Sequence, residues 1–359
     1  MKTHQIIICG TGLAGLRTCA HLRELGYTGT ITAFGAETHP PYDRPPLSKQ
    51  ILGDYRQPLS AQGLGELSEL ADEIIIEPVT ELRPGAVLAG GRSYPADVIV
   101  AATGAEPRQL RENSHVLRTR ADAEAIRALR EVEILGAGWI GCELAAALAR
   151  GGRTVTLTEV TGTALPALGP AGRPVTDYLA DLGVTIAAGS EPTTGLPLIE
   201  AIGVRPRTLG ADLRTDLWGR TSVPGRYAVG DCATIMGGPR PGHWNTALRQ
   251  AERVARAIMA DRSGEPLPDK APLITDVFST IGELDLLFIG SAHGQLVTAG
   301  DDDRFRAVWL DKGTLSGALT INRPADAVAA RKNLGRPLTG ELAGIDRPLK
   351  KLLREAARE

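Results

Sequence analysis

The apolar positions fall into two matching blocks separated by polar, turn-rich sequence. Residues 5–9 (Gln-Ile-Ile-Ile-Cys) form an almost unbroken apolar run, the pattern of a strand buried on both faces. Gly10-Thr-Gly12-Leu-Ala-Gly15 follows at once. Leu16, Cys19, Ala20 and Leu22 then recur at helical spacing until Gly26 closes the helix, and a second strand is predicted over 29–34, ending in Gly35-Ala36-Glu37. The same order returns about 125 residues later. It gives strand 131–135, Gly136-Ala-Gly138-Trp-Ile-Gly141, an apolar helix from Cys142 to Leu148, a stop at Gly151-Gly152, and strand 154–158 ending in Glu159. Both blocks predict βαβ units, so the fold class is α/β.

A GxGxxG at a strand–helix junction has a physical use. Gly10 and Gly12 let the backbone turn tightly and approach a pyrophosphate, and Gly15 lets the helix pack close to the strand. The helix N-terminus offers free amides to phosphate, and an acid after the second strand can bind a ribose diol. Two such fingerprints in one chain point to two different dinucleotides, a flavin and a nicotinamide, brought face to face. An acid rather than an arginine at Glu159 favours NADH over NADPH, because a carboxylate repels a 2′-phosphate.

Composition narrows the class. The 359 residues carry 40 basic and 42 acidic side chains, a net charge of −2, with 43% hydrophobic and 23% charged residues. That suits a globular enzyme of two or three domains rather than a disordered chain, and it lacks the basic excess expected of a nucleic-acid binder. The longest apolar stretch, 132–149, is broken by Glu133 and Glu143, so no membrane span is expected. Lys2 and the run Ile6 to Ile8 lead directly into Gly10 and Gly12, too short for a signal-peptide core; a cytoplasmic setting is expected. Cys9, Cys19, Cys142 and Cys232 form no CxxC pair and no metal-ligand spacing. Neither a metal site nor a redox disulfide is expected. Cys9, Cys142 and Cys232 abut glycine motifs and read as core. Any electrons handled here are carried by something other than the protein's own sulfur.

Between the two units lies Pro41-Tyr42-Asp43-Arg44-Pro45-Pro46-Leu47-Ser48-Lys49, which resembles the PYxRPPLSK signature of FAD-dependent NADH:ferredoxin reductases. Those enzymes serve Rieske-type dioxygenases and bacterial cytochrome monooxygenases. The resemblance continues in order through Ala101-Ala-Thr103-Gly104-Ala-Glu-Pro-Arg108 (ATGxxPR), Gly136 to Glu143 (GxGxIGxE), Gly230-Asp231, and His243-Trp244-Asn245 with Ala247 and Gln250 (HWxxAxxQ). A strand-rich C-terminal piece ends near Asn322-Arg323-Pro324. The resemblance implies two Rossmann-like dinucleotide domains and a C-terminal α+β interface domain. It implies that Gly10, Gly12, Leu13, Ala14, Gly15 and Glu37 hold the ADP half of FAD. Arg44, Thr103, Gly104, Arg108, Gly230, Asp231 and Trp244 would line the rest of that cofactor. Gly136, Gly138, Ile140, Gly141 and Glu159 would hold NADH. The catalytic pair would be Lys49, near the flavin, and Glu143, which keeps that cation beside the nicotinamide.

The implied boundaries are an FAD domain over 1–110 and 219–265, a reduced NAD domain over 111–218, and a C-terminal domain from 266 to 345. Residues 346–359 form a tail, and the stretch 336–359 reads equally as a terminal amphipathic helix. Three departures stand out. Residues 189–206 run almost directly from one strand to the next where the family inserts a three-stranded meander, with a second shortfall over 208–216. Roughly 30–40 residues are missing, which should uncover one face of a parallel sheet. The loop 160–166 lacks the basic residues that often bind NADH phosphates. The C-terminal PxFWxDQ motif reads Pro272-Leu-Ile274-Thr-Asp276-Val277, so a flavin-facing Trp becomes Ile274.

Two functions stay open at this point. One passes electrons from NADH through FAD to a 2Fe–2S or similar ferredoxin. A basic docking face would then be expected from Arg249, Arg253 and Arg256 on one helix and from Arg304, Arg306, Arg323 and Arg331 in the last domain. The other is a flavoenzyme redirected to a small-molecule substrate, as a dehydrogenase, reductase or oxidase with a degenerate NAD domain.

Overall fold

The computed structural model describes residues 4–189, 191–238, 242–268 and 273–358. Lys2, Ser190, Pro272 and Glu359 lie outside them. The chain divides into two compact units, each discontinuous in sequence.

The first unit comprises Met1–Asp43, Arg56–Glu106 and Val204–Ile274. Its centre is an all-parallel sheet in the order Arg226–Ala228, Val98–Ala101, Gln5–Cys9, Thr30–Gly35, Glu73–Ile76. The apolar run at 5–9 becomes the middle strand, with Ile6, Ile7, Ile8 and Cys9 fully buried. On one face Ile6 and Ile8 join Leu16, Cys19 and Leu22 of helix Leu13–Glu24 and Val254 and Ile258 of helix Trp244–Ser263. On the other, Ile7, Cys9 and Phe34 join Val79, Leu82 and Val87 of an antiparallel meander. Truncating any of these buried isoleucines or leucines, or Phe34, to Ala costs about 2–5 kcal/mol.

The second unit comprises Arg44–Tyr55, Pro107–Gly203 and Thr275–Glu359. It holds a four-stranded parallel sheet in the order Thr185–Ala188, Thr154–Glu159, Glu131–Leu135, Leu198–Glu200. It also holds a five-stranded antiparallel sheet in the order Asp276–Ile281, Leu284–Gly290, Thr314–Ile321, Arg304–Asp311, Gln295–Asp301. Residues 349–356, inside the expected tail, are a packed helix: Leu349, Leu352 and Leu353 of helix Leu349–Ala356 are buried in one cluster with Val308, Leu315 and Ala330. Their i, i+3, i+4 spacing puts all three on one face.

The expectation of an uncovered sheet face is corrected. Strand Glu131–Leu135 is buried on both faces from Val132 onward. Glu133, Thr156 and Thr158, which share a face by register and alternation, are all buried. The segment holding Thr193 and Thr194 closes onto that face through Glu133. Its carboxylate accepts from Thr158 Oγ1 at 2.7 Å, from the amides of Thr193 and Thr194 at 2.8 and 2.9 Å, and from Thr194 Oγ1 at 2.6 Å. Burial alone would raise this carboxyl; the hydrogen bonds from Thr194, Thr158 and the two amides outweigh it and hold it down to about 2.

Candidate active site

In the first unit the sequence-predicted residues gather at the carboxyl edge of the parallel sheet, where ligands bind in folds of this type. Gly10 follows the central strand, Thr103 and Gly104 follow Val98–Ala101, Gly230 and Asp231 follow Arg226–Ala228, and Glu37 follows Thr30–Gly35. Gly10 has φ +122, and a side chain there would meet the Ala102 carbonyl oxygen at 2.2 Å. A Cβ on Gly15 would fall 1.9 Å from the Gly10 carbonyl oxygen. Gly12 is different: nothing lies within 4 Å of its Cβ position. Packing does not demand a glycine there, whereas a pyrophosphate approaching the backbone does. Gly12 is also the N-cap of helix Leu13–Glu24 and caps it with no side chain, so the first-turn amides, beginning at Leu13 and Ala14, are left for a ligand.

Around this cradle, Gly230 (φ +74) places its amide 2.9 Å from Gln250 Oε1, and a Cβ on it would meet Ala14 Cβ at 2.8 Å. Thr103 Oγ1 donates to the Arg207 carbonyl, and Tyr42 donates to Glu37 Oε2 at 2.6 Å. Trp244 Nε1 donates to Asp43 Oδ1 at 3.0 Å, and Gln62 reaches the other oxygen of that carboxylate at 2.8 Å. The open cradle with its uncapped helix fits a dinucleotide such as FAD.

The second unit repeats the geometry. Gly136 has φ +103 with the Ala201 carbonyl oxygen 2.7 Å from its Cβ position, Gly141 meets the Gly136 oxygen at 1.9 Å, and Gly138 again has nothing within 4 Å. Helix Trp139–Arg150 is likewise uncapped by any side chain, whereas Thr119 caps helix Arg120–Arg127 with a full capping box. Glu159 accepts from the Ala137 amide at 2.9 Å and the Val160 amide at 2.8 Å, which ties the acid to the glycine loop. Ile140 is exposed on the first turn of that helix. A second dinucleotide fits here.

Arg44, Lys49 and Arg108 belong to this second unit, not to the first. Arg44 donates to the Arg118 carbonyl, and the Arg108 amide to the Gly203 carbonyl at 2.9 Å. Lys49 and Glu143 do come together: Nζ lies 3.6 Å from Oε1, with both side chains mostly buried. Ser279 donates to Glu143 Oε1 at 2.6 Å, Ser48 donates to Oε2, and the Phe278 ring lies under Lys49 Nζ at 4.6 Å. Burial pushes the Glu143 carboxyl upward; Lys49, Ser279 and Ser48 oppose it without cancelling it. Ser279 and Phe278 were missed by sequence reasoning. The nearest signal was their place two to three residues after Asp276 in the altered C-terminal motif.

Two members of the expected docking face are corrected. Arg253 is buried, with Nη1 donating to the Leu217 carbonyl at 3.4 Å, and Arg306 is fully buried against Asp326 and the carbonyls of Ala343, Ile345 and Arg347. Arg323 pairs with Asp326 and Asp346, Arg331 with Asp276, and Arg256 with Glu252. Arg253 and Arg306 are structural, whereas Arg256 and Arg304 stay exposed. The four cysteines are free and buried, with burial pushing Cys19 and Cys142 up to about 12.

Two nucleotide cradles, one ion pair and no dithiol define a two-dinucleotide flavoprotein reductase. The sequence profile of pyridine nucleotide-disulphide oxidoreductases matches residues 4–195. The chain belongs to that family and, within it, to the ferredoxin–NAD(+) reductases. It is 30% identical to the ferredoxin–NAD(+) reductase component of a p-cumate 2,3-dioxygenase system from Pseudomonas putida, over 91% of this chain and 92% of the relative. A terpredoxin reductase from a Pseudomonas species is 27% identical over 97% of both chains. Among solved structures, the covalent putidaredoxin reductase–putidaredoxin complex gives a TM-score of 0.81 at 26% identity, covering 99% of each chain. The first alignment spans 381 positions against 359 residues here, so the relative carries segments this chain lacks.

Proposed function

We propose that the chain takes hydride from NADH onto FAD and passes single electrons to a ferredoxin-type iron–sulfur protein. One observation carries the reading: two open glycine cradles stand in a chain whose cysteines are all buried, unpaired and poor thiolates. Reducing equivalents therefore leave without a protein dithiol, as a ferredoxin reductase requires. The relatives are reductase components of dioxygenase and terpredoxin systems, which favours this reading over a small-molecule flavoenzyme.

Gly10, Gly12, Leu13, Ala14, Gly15, Glu37, Thr103, Gly104, Gly230, Asp231 and Trp244 would hold FAD, with Arg44 and Arg108 as further contacts. Gly136, Gly138, Ile140, Gly141 and Glu159 would hold NADH. FAD, when bound, supplies the two-electron to one-electron conversion. Lys49 provides a fixed cation for charge that develops on the cofactor, and Glu143 keeps that cation in place. The proposed parts are an FAD domain over 1–110 and 219–265, an NAD domain over 111–218, and an α+β part from 266 that takes in the C-terminal helix. Among the described residues no helix is long and apolar enough to cross a membrane. Four unpaired cysteines support a cytoplasmic setting.

The test is cytochrome c reduction by NADH with the purified yellow protein. Reduction that depends on an added ferredoxin is the expected result. Equal rates with and without ferredoxin, or none in either case, would contradict electron delivery to an iron–sulfur protein.

A further inference from the structure

The Lys49–Glu143 pair belongs to the proposed hydride-transfer site, and the role inferred here for its neighbours rests on that function. Two adjacent residues on the short helix Pro46–Lys49 and two on strand Asp276–Ile281 meet at the pair. Each element supplies one hydroxyl to the carboxylate, Ser48 to Oε2 and Ser279 to Oε1 at 2.6 Å. Each also supplies one half of a cation–π contact, Lys49 and Phe278, at 4.6 Å. Lys49 Nζ stands 3.6 Å from Oε1, beyond ordinary hydrogen-bond length, so the serines hold the carboxylate more closely than the lysine does.

A hydroxyl that donates to a buried carboxylate favours its ionised form. Ser279 is 2% exposed and Glu143 6%, so no bulk water stands ready to replace a lost donor. We propose that Ser279 is a positioning residue for the reductase reaction: together with Ser48 it keeps Glu143 ionised and oriented, so that Lys49 retains a fixed negative partner while its ammonium rests on Phe278. Without Ser279, the upward push of burial is less opposed, Glu143 takes up a proton at a higher pH, and Lys49 loses its partner over a wider range.

The other ionisable groups on the elements packed against Glu143 do not share this task. On its own helix, Cys142 is a buried thiol and Arg150 pairs with Glu283. On strand Asp276–Ile281, Asp276 is held by Arg331. On the parallel sheet, Glu159 is bound by two amides and Glu133 by the threonine loop, while Glu131 is exposed. Helix Arg173–Asp181 contributes Arg173 and Asp177, which pair with each other, Tyr178, which meets Arg150, and Asp181. Among the described residues Lys49 alone is within ion-pair reach of Glu143.

The experiment is an infrared pH titration of the FAD-loaded protein, with the protonated-carboxyl band of Glu143 identified by its loss in Glu143→Gln. Ser279→Ala is expected to raise the pH at which that band appears by about one unit. Ser279→Thr, which keeps the hydroxyl, stays near the native value. In parallel, NADH reduction of the flavin falls in Ser279→Ala, by up to about ten-fold for a one-unit shift, and recovers as pH rises. If Ser279→Ala does not accumulate as folded protein, Ser279→Cys, a weaker donor of similar size, shifts the band the same way by less. An unshifted band overturns the proposal alone. A shifted band with flavin reduction unchanged at every pH overturns the catalytic role of the pair, and the proposal with it.

Discussion

The two glycine cradles are near copies in backbone geometry, yet the sheets that carry them are supported by opposite means. In the first unit Ile6, Ile8, Leu16 and Val254 close one face and Ile7, Phe34 and Val87 the other, so support is apolar on both sides. In the second, one face is closed by a buried carboxylate, Glu133, that gathers hydroxyls and amides from a short loop. The lesson is that a face of a parallel sheet can be closed by a satisfied polar clasp as well as by hydrophobic bulk. Such a clasp makes the closure of that sheet face depend on pH, whereas the faces of the first sheet are closed by groups that do not titrate in that range.

The sharpest way to break the comparison is to clash each cradle in turn. Gly15→Ala drives a methyl into the Gly10 carbonyl, and we expect loss of bound FAD and of soluble protein, read from the flavin spectrum after purification. Gly141→Ala makes the same clash in the other unit; we expect FAD retained and NADH reduction of it slowed at least 100-fold, on the order of a lost nucleotide site, seen by stopped flow. If both variants lose FAD alike, the cradles do not hold separate nucleotides. Next in size, Lys49→Ala should slow flavin reduction by about 10²–10³-fold with FAD still bound. Loss of the cofactor itself would limit Lys49 to binding.

The clasp gives a smaller effect with a definite sign. Because Glu133 is held down to about 2, its stabilisation is present above its ordinary value near 4.5 and is lost as pH falls toward 2. Thermal stability of the native protein should therefore fall steeply over that window. Glu133→Gln should unfold a few kcal/mol more easily at neutral pH and show a flatter dependence below it. Parallel slopes would mean the clasp does not link folding to pH. Smallest of all, Glu159→Ala should weaken NADH about ten-fold more than NADPH, measured as the ratio of their Kd values.

Much of this was legible because it is local. Strands 5–9 and 131–135 are observed with those limits, and the glycines of each loop act within a few residues of one another. The Lys49–Glu143 meeting was legible only through resemblance. The hidden contacts depend on distant partners: Ser279 reaches Glu143 across 136 residues, and Thr193 reaches Glu133 across 60. Neither serine nor threonine carries a periodic signal that would mark it. The arginines misled for the same reason. Helical spacing placed Arg249, Arg253 and Arg256 near one another, but burial of Arg253 and Arg306 is decided by what folds over them, which charge alone does not reveal.

The central claim is that the second unit delivers NADH electrons to the flavin. Anaerobic mixing of the FAD-loaded protein with NADH tests it most directly, with the visible flavin band followed by stopped flow. The account predicts rapid bleaching whose rate saturates with NADH and is far slower with NADPH. A flavin that stays oxidised with both nucleotides, yet bleaches with dithionite, would contradict it.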